Sequence, residues 1–143
     1  FNHGYTYSGH PVACAVALAN LEIIETEQLP QRVRGDIGAY FAKRYAELDG
    51  HPLVGMTESC GFVAGLVLVK NKHTKERFKE VEAVGMVCRR HCFTNGLIMR
   101  AVGDRMIIAP PLTLTYADID ELMRLIRNAL DLTWQELTAK GLL

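Results

Sequence analysis

His3-Gly4-Tyr5-Thr6-Tyr7-Ser8-Gly9-His10-Pro11 runs into an alanine-rich apolar stretch. Gly4 and Gly9 bracket the hydroxyl-bearing Tyr5, Thr6, Tyr7 and Ser8, and Pro11 suits a first helical position, where φ is already helical and no N–H is required. The segment reads as a loop entering a helix. A helix start offers unpaired N–H groups and partial positive charge, so Thr6 and Ser8 hydroxyls there form a candidate cradle for a phosphate or carboxylate. The competing reading has Thr6 or Ser8 satisfying local backbone donors while the tyrosines pack.

From Pro11 to about Thr26 the chain is apolar on nearly every side, the mark of a buried helix whose alanines admit close neighbours. Gln28 to Leu48 predicts a second helix, with Val33, Ile37, Tyr40, Phe41, Tyr45 and Leu48 at helical spacing and a stop at Gly50 and Pro52. Leu53 to Glu58 and Phe62 to Val69 read as strands of a hairpin joined through Ser59-Cys60-Gly61; the second, apolar almost throughout, is expected to be covered on both faces. Lys75 to Thr94 returns to helical period and stops at Asn95-Gly96. Two short strands, Leu97 to Ala101 and Arg105 to Ala109, flank a turn at Val102-Gly103-Asp104, and Pro110-Pro111 ends the sheet. Thr115 and Asp118 form a capping-box pattern ahead of a helix whose Ile119, Leu122, Met123, Ile126, Leu130, Trp134 and Leu137 share one face. This order predicts an α+β fold, with helices on one face of a small antiparallel-rich sheet.

The chain has 143 residues, enough to bury a core, with 16 basic and 16 acidic residues. A net charge of zero gives no electrostatic case for nucleic acid or a membrane surface. No apolar run approaches the ~20 residues of a membrane span, and no signal pattern opens the chain, so a cytoplasmic protein is the expectation. Cys14, Cys60, Cys88 and Cys92 have neither redox nor zinc-knuckle spacing, and no metal site is expected even with His91 beside the last pair. A start at Phe1 inside a loop motif implies a piece of a longer chain. Arg100 stands out on an otherwise apolar strand, where its guanidinium must reach solvent, a carboxylate or a ligand. A hairpin-edge ion pair with Asp104 is the plain reading, worth at most about 1 kcal/mol if exposed.

Phe1-Asn2-His3-Gly4-Tyr5-Thr6-Tyr7-Ser8-Gly9-His10-Pro11-Val12-Ala13-Cys14-Ala15 resembles a segment of the class III, pyridoxal-phosphate-dependent aminotransferases, nearest the omega-transaminases that pair an amine donor with pyruvate. The resemblance continues through Gly96-Leu97-Ile98-Met99-Arg100 and Asp104-Arg105-Met106-Ile107-Ile108-Ala109-Pro110-Pro111-Leu112. It implies the C-terminal portion of a fold-type I enzyme: residues 1–27 a phosphate-contact loop and linking helix belonging with a large domain, residues 28–143 the small domain. By the same resemblance Tyr5 and Thr6 contact the phosphate of pyridoxal 5'-phosphate in the neighbouring subunit of a homodimer, and Arg100 pairs with the carboxylate of pyruvate or another keto acid. Ornithine-type members carry arginine two residues before Ala-Pro-Pro. Ile107 here implies an apolar wall suited to an amine or diamine donor, putrescine-like, without an α-carboxylate. The family's Schiff-base lysine precedes the phosphate motif, whereas Lys43, Lys70, Lys72, Lys75, Lys79 and Lys140 all follow it. No catalytic residue is therefore expected in this chain, which alone is expected to be inactive. The alternative is a non-catalytic α+β domain that binds a small anion or a protein partner.

Overall fold

A computed structural model describes residues 4–143, so Phe1, Asn2 and His3 of the quoted motif lie outside the described residues. The turn after Gly4 feeds α1 (Pro11–Thr26), followed by α2 (Leu29–Arg34), α3 (Asp36–Ala46), β1 (Val54–Cys60), β2 (Val63–Leu68), α4 (Val84–Thr94), β3 (Arg100–Val102), β4 (Arg105–Ile108) and α5 (Tyr116–Ala139). The strands make one antiparallel sheet in the order β1-β2-β4-β3. Ala64, Leu66 and Leu68 of β2 and Met106 and Ile108 of β4 point inward, where they meet Phe41 and Tyr45 of α3, Cys88 and Cys92 of α4, and Ile119, Met123, Ile126 and Leu130 of α5. Helices on one face of a small antiparallel sheet are the α+β arrangement expected from the sequence.

Three local expectations need correction. The single helix over Gln28–Leu48 is two helices broken at Gly35, whose ψ is −145°, followed by a 3-10 turn at Glu47–Gly50. The break lets α2 fold tightly on α3: a Cβ on Gly38 would sit 1.8 Å from the Val33 carbonyl oxygen. The helix expected from Lys75 begins only at Val84, after a short 3-10 turn at Glu80–Glu82 and Ala83 in the left-handed region at φ 46°. β2 is covered on one face only, because Val63 is 57% exposed while its neighbour Ala64 is buried. α1 has no buried residue in this chain, and Val12, Val16 and Leu18 are all exposed, so its apolar surface finds no cover among the described residues.

Other signals fold as read. Thr115 caps α5: the Asp118 N–H donates to Thr115 Oγ1 at 3.2 Å, and the Thr115 N–H donates to Asp118 Oδ2 at 2.8 Å. Gly96 (φ 80°) terminates α4 and Gly103 (φ 56°) turns β3 into β4, both in the left-handed region that glycine enters without a steric cost. α5 is fastened to α3 through Asp120 Oδ1, which accepts from the Tyr40 hydroxyl at 2.7 Å and from Arg44 Nε at 2.9 Å.

Candidate functional site

Local bonds close the turn ahead of α1. The Ser8 N–H donates to the Tyr5 carbonyl at 3.0 Å, and the Tyr5 N–H donates to Ser8 Oγ at 3.0 Å. Ser8 thus serves the loop itself, as the plain reading held, and the Tyr5 N–H is engaged. Both tyrosines stand largely open, Tyr5 74% and Tyr7 82% exposed. Among the described residues the Thr6 hydroxyl and N–H and the Tyr7 N–H have no partner within the turn. The helix behind it starts with Pro11 and no side-chain cap on its first turn. Unengaged donors ahead of an uncapped helix N-terminus fit a phosphate, and of the predicted pair Thr6 is the better furnished.

Arg100 opens β3 at the sheet edge, exposed, directly opposite Ile107 of β4. The hairpin ion pair with Asp104 is not formed. Asp104 instead faces Arg77 Nε at 3.5 Å, and burial raises its pKa against the pull of that guanidinium. Among the described residues no carboxylate pairs with Arg100. Its side chain lines a groove of about 500 Å³ walled by Ile98, Ile107, Ala109, Pro110 and Leu125, with Asp118 and Glu121 of α5 on its rim. Both rim carboxylates are occupied, Asp118 by the Thr115 cap and Glu121 by Arg124. Arg32 secures the wall, donating to the Leu112 carbonyl at 2.8 Å and also to that of Leu114, which holds the segment after Pro110-Pro111 against α2. A guanidinium over an apolar groove can grip a small carboxylate through its two-pronged fork while the wall receives a carbon chain.

The structure does not bring the turn and the groove together. The Ser8–Tyr5, His10–Tyr7 and Cys14–His10 hydrogen bonds of the turn are local, whereas the groove is built from β3, β4 and α5. The lysines decorate the surface elsewhere; Lys75 donates to the Gly55 carbonyl and Lys140 pairs with Glu136 at 2.6 Å. Among the described residues no His, Cys, Asp and Glu cluster could hold a metal. Cys88 and Cys92 are buried in the core, while Cys14 and Cys60 are exposed, all four as free thiols. No helix among the described residues is long and apolar enough to cross a membrane. Sequence reasoning missed the roles of Arg32, which fastens the groove wall, and Arg77, which faces Asp104, because both contacts depend on tertiary packing.

A family model described as aminotransferase class-III matches residues 1–130. The chain is 56% identical over 133 residues to a putrescine–pyruvate aminotransferase of Pseudomonas aeruginosa, covering 93% of this chain and 29% of that protein. It is 35% identical to a mitochondrial gamma-aminobutyrate transaminase of Oryza sativa, covering 93% of this chain and 26% of the relative. Among solved structures, the PMP-bound aminotransferase of Vibrio fluvialis superposes with a TM-score of 0.84 at 34% identity, over 95% of this chain and 30% of that one. A transaminase from directed evolution by ancestral reconstruction gives a TM-score of 0.84 at 43% identity, over 96% and 30%. The chain therefore spans less than a third of the length of these relatives.

Proposed function

The chain belongs to the class III aminotransferases, pyridoxal-phosphate-dependent enzymes, and from that premise we propose that it is the C-terminal part of an enzyme that moves an amino group from a putrescine-like amine or diamine to pyruvate. Arg100 is the observation that carries this reading. An arginine without a carboxylate partner among the described residues, placed at an apolar groove, suits a keto acid that must be held by its carboxylate. Ile107 beside it keeps the wall uncharged, which suits a donor lacking an α-carboxylate. The 56% identity to a putrescine–pyruvate enzyme supports the same pair of substrates and favours an enzyme over a stand-alone binding domain.

Pyridoxal phosphate, when bound, supplies the electron sink for the transfer. This chain would contribute the Thr6 hydroxyl and N–H and the Tyr7 N–H to its phosphate, with Tyr5 shaping the turn through Ser8. Arg100 would orient the acceptor. The Schiff-base lysine and the proton transfers it performs are assigned to the preceding part of the polypeptide, so the chain alone is inactive in this reading. Residues 1–27 belong with a large domain and residues 28–143 form the small one; the uncovered apolar α1 suits such a division. A phosphate contact offered on an exposed turn suits a homodimer in which it reaches the neighbouring subunit's cofactor. Four free thiols, two of them exposed, suit the reducing cytoplasm.

The test is direct. Full-length protein supplied with pyridoxal phosphate, putrescine and pyruvate should release alanine. Failure to form alanine with putrescine or any simple arylalkylamine would overturn the proposal.

A further inference from the structure

Glu58, Gly65, Ile107 and Arg100 are successive cross-strand partners: Glu58 lies opposite Gly65, Gly65 opposite Ile107, and Ile107 opposite Arg100. Directly opposed residues in antiparallel strands project from the same face. One row therefore crosses the whole sheet on the side away from the helices. With strands about 4.8 Å apart, Glu58 lies roughly 10 Å from Ile107 and roughly 14 Å from Arg100, Cα to Cα. The row floors a cavity of about 680 Å³ lined by Met56, Glu58, Val63, Gly65, Arg105 and Ile107. Ile107 also lines the Arg100 groove, so the two hollows share a wall.

Gly65 is the unexplained member of the row. Elsewhere the fold accounts for its buried glycines: a Cβ would come within 1.8 Å of the Val33 carbonyl oxygen at Gly38, 2.5 Å of the Val69 side chain at Gly55 and 2.0 Å of the Gly103 carbonyl oxygen at Gly85. At Gly65 it would meet only the Met106 carbonyl oxygen, at an ordinary 3.6 Å, and φ is not in the left-handed region. Glycine inside a strand weakens it, and where packing does not require it the bare backbone suits close approach from outside. Glu58, one strand away, is exposed, and its carboxylate makes no ion pair or hydrogen bond among the described residues. Arg105 occupies the neighbouring row, opposite Val67 and Val102.

We propose that Glu58 is a specificity residue that binds the distal ammonium of a diamine donor, whose carbon chain crosses the bare strand at Gly65 and the side chain of Ile107. The assignment rests on the aminotransferase reading of the Arg100 groove. A carboxylate at the far end of an apolar floor matches an ammonium separated from the reacting nitrogen by methylene groups. The Arg105 guanidinium in the next row repels a dication and confines it to the Glu58 row.

Putrescine and butylamine share a carbon chain and differ in the distal ammonium, so single-turnover reaction of each with the full-length holoenzyme isolates the contact. Glu58→Gln should weaken apparent putrescine binding roughly tenfold or more, the scale of a lost charge-assisted hydrogen bond, with butylamine binding, pyruvate reactivity and thermal midpoint unchanged. Glu58→Asp should recover part of the loss. Gly65→Val should fold and melt no lower than the wild type but bind putrescine less well, because the added side chain stands on the path. Equal effects of Glu58→Gln on both amines, or no effect on either, would overturn the assignment. Arg100→Ala separates the parent reading: if it slows the donor and acceptor half-reactions alike while Glu58→Gln still discriminates the amines, only the acceptor clamp falls. A wild-type enzyme that reacts with neither amine removes both.

Discussion

Burial holds His51 at 6% exposure, where its Nδ1 accepts the Leu53 N–H at 3.1 Å and its Nε2 faces Asp131 Oδ1 at 3.3 Å. Nε2 therefore carries the proton of the neutral ring. Burial lowers the pKa first; Asp131 opposes it, and Arg127 and Lys72 push in the same direction as burial. A histidine depressed in the folded state contributes stability that is present above its unfolded pKa of about 6.5 and is lost as pH falls through the lower folded value. The denaturant midpoint of the protein should accordingly drop on acidification below about pH 6.5, and His51→Gln should flatten that part of the profile. A slope unchanged by the substitution would place the titration elsewhere. At the turn proposed to hold the cofactor, Thr6→Ala in the full-length protein should loosen pyridoxal phosphate by about 1.5–3 kcal/mol, the range for a hydrogen bond to a charged group. Equilibrium dialysis reads this, and unchanged affinity would return the Thr6 hydroxyl to a purely local role.

α4 reaches the site through a glycine. A Cβ on Gly85 would lie 2.0 Å from the Gly103 carbonyl oxygen, in the turn that joins β3 to β4 and so aligns Arg100 with Ile107. Gly85→Ala should cost about 1–3 kcal/mol as overpacking against rigid backbone, visible as a lowered thermal midpoint, whereas Gly65→Ala should leave it nearly unchanged. Thr115→Ala should cost about 1 kcal/mol through loss of the α5 cap. α5 and its cap were legible in the sequence because local chemistry and helical period agree there. The break at Gly35 was not, because Val33, Ile37, Tyr40 and Phe41 keep helical spacing across it and contribute to one core; close packing of α2 on α3 decides the break. The apolar run of β2 likewise could not say which face the helices cover. Arg100 stood out as a charge on an apolar strand. Glu58 did not, because its relation to Arg100 appears only once three strand pairings are in register.

At the scale of the molecule, a chain that covers 29% of its putrescine–pyruvate relative supplies, in this account, an acceptor clamp and a phosphate contact to chemistry housed elsewhere in the polypeptide. Its lysines all follow, in sequence, the turn proposed to hold the phosphate. The 143-residue chain alone should therefore turn over no amine with pyruvate; turnover by a preparation homogeneous at that length would contradict this. The most direct test of the whole assignment is single-turnover kinetics of the full-length enzyme carrying Arg100→Ala, with the donor and acceptor half-reactions run separately. The expected result is asymmetric: specificity for pyruvate falls about ten- to a hundredfold, equivalent to about 1.5–3 kcal/mol, while reaction with the amine donor keeps its rate. Equal slowing of both half-reactions would take Arg100 out of the acceptor site.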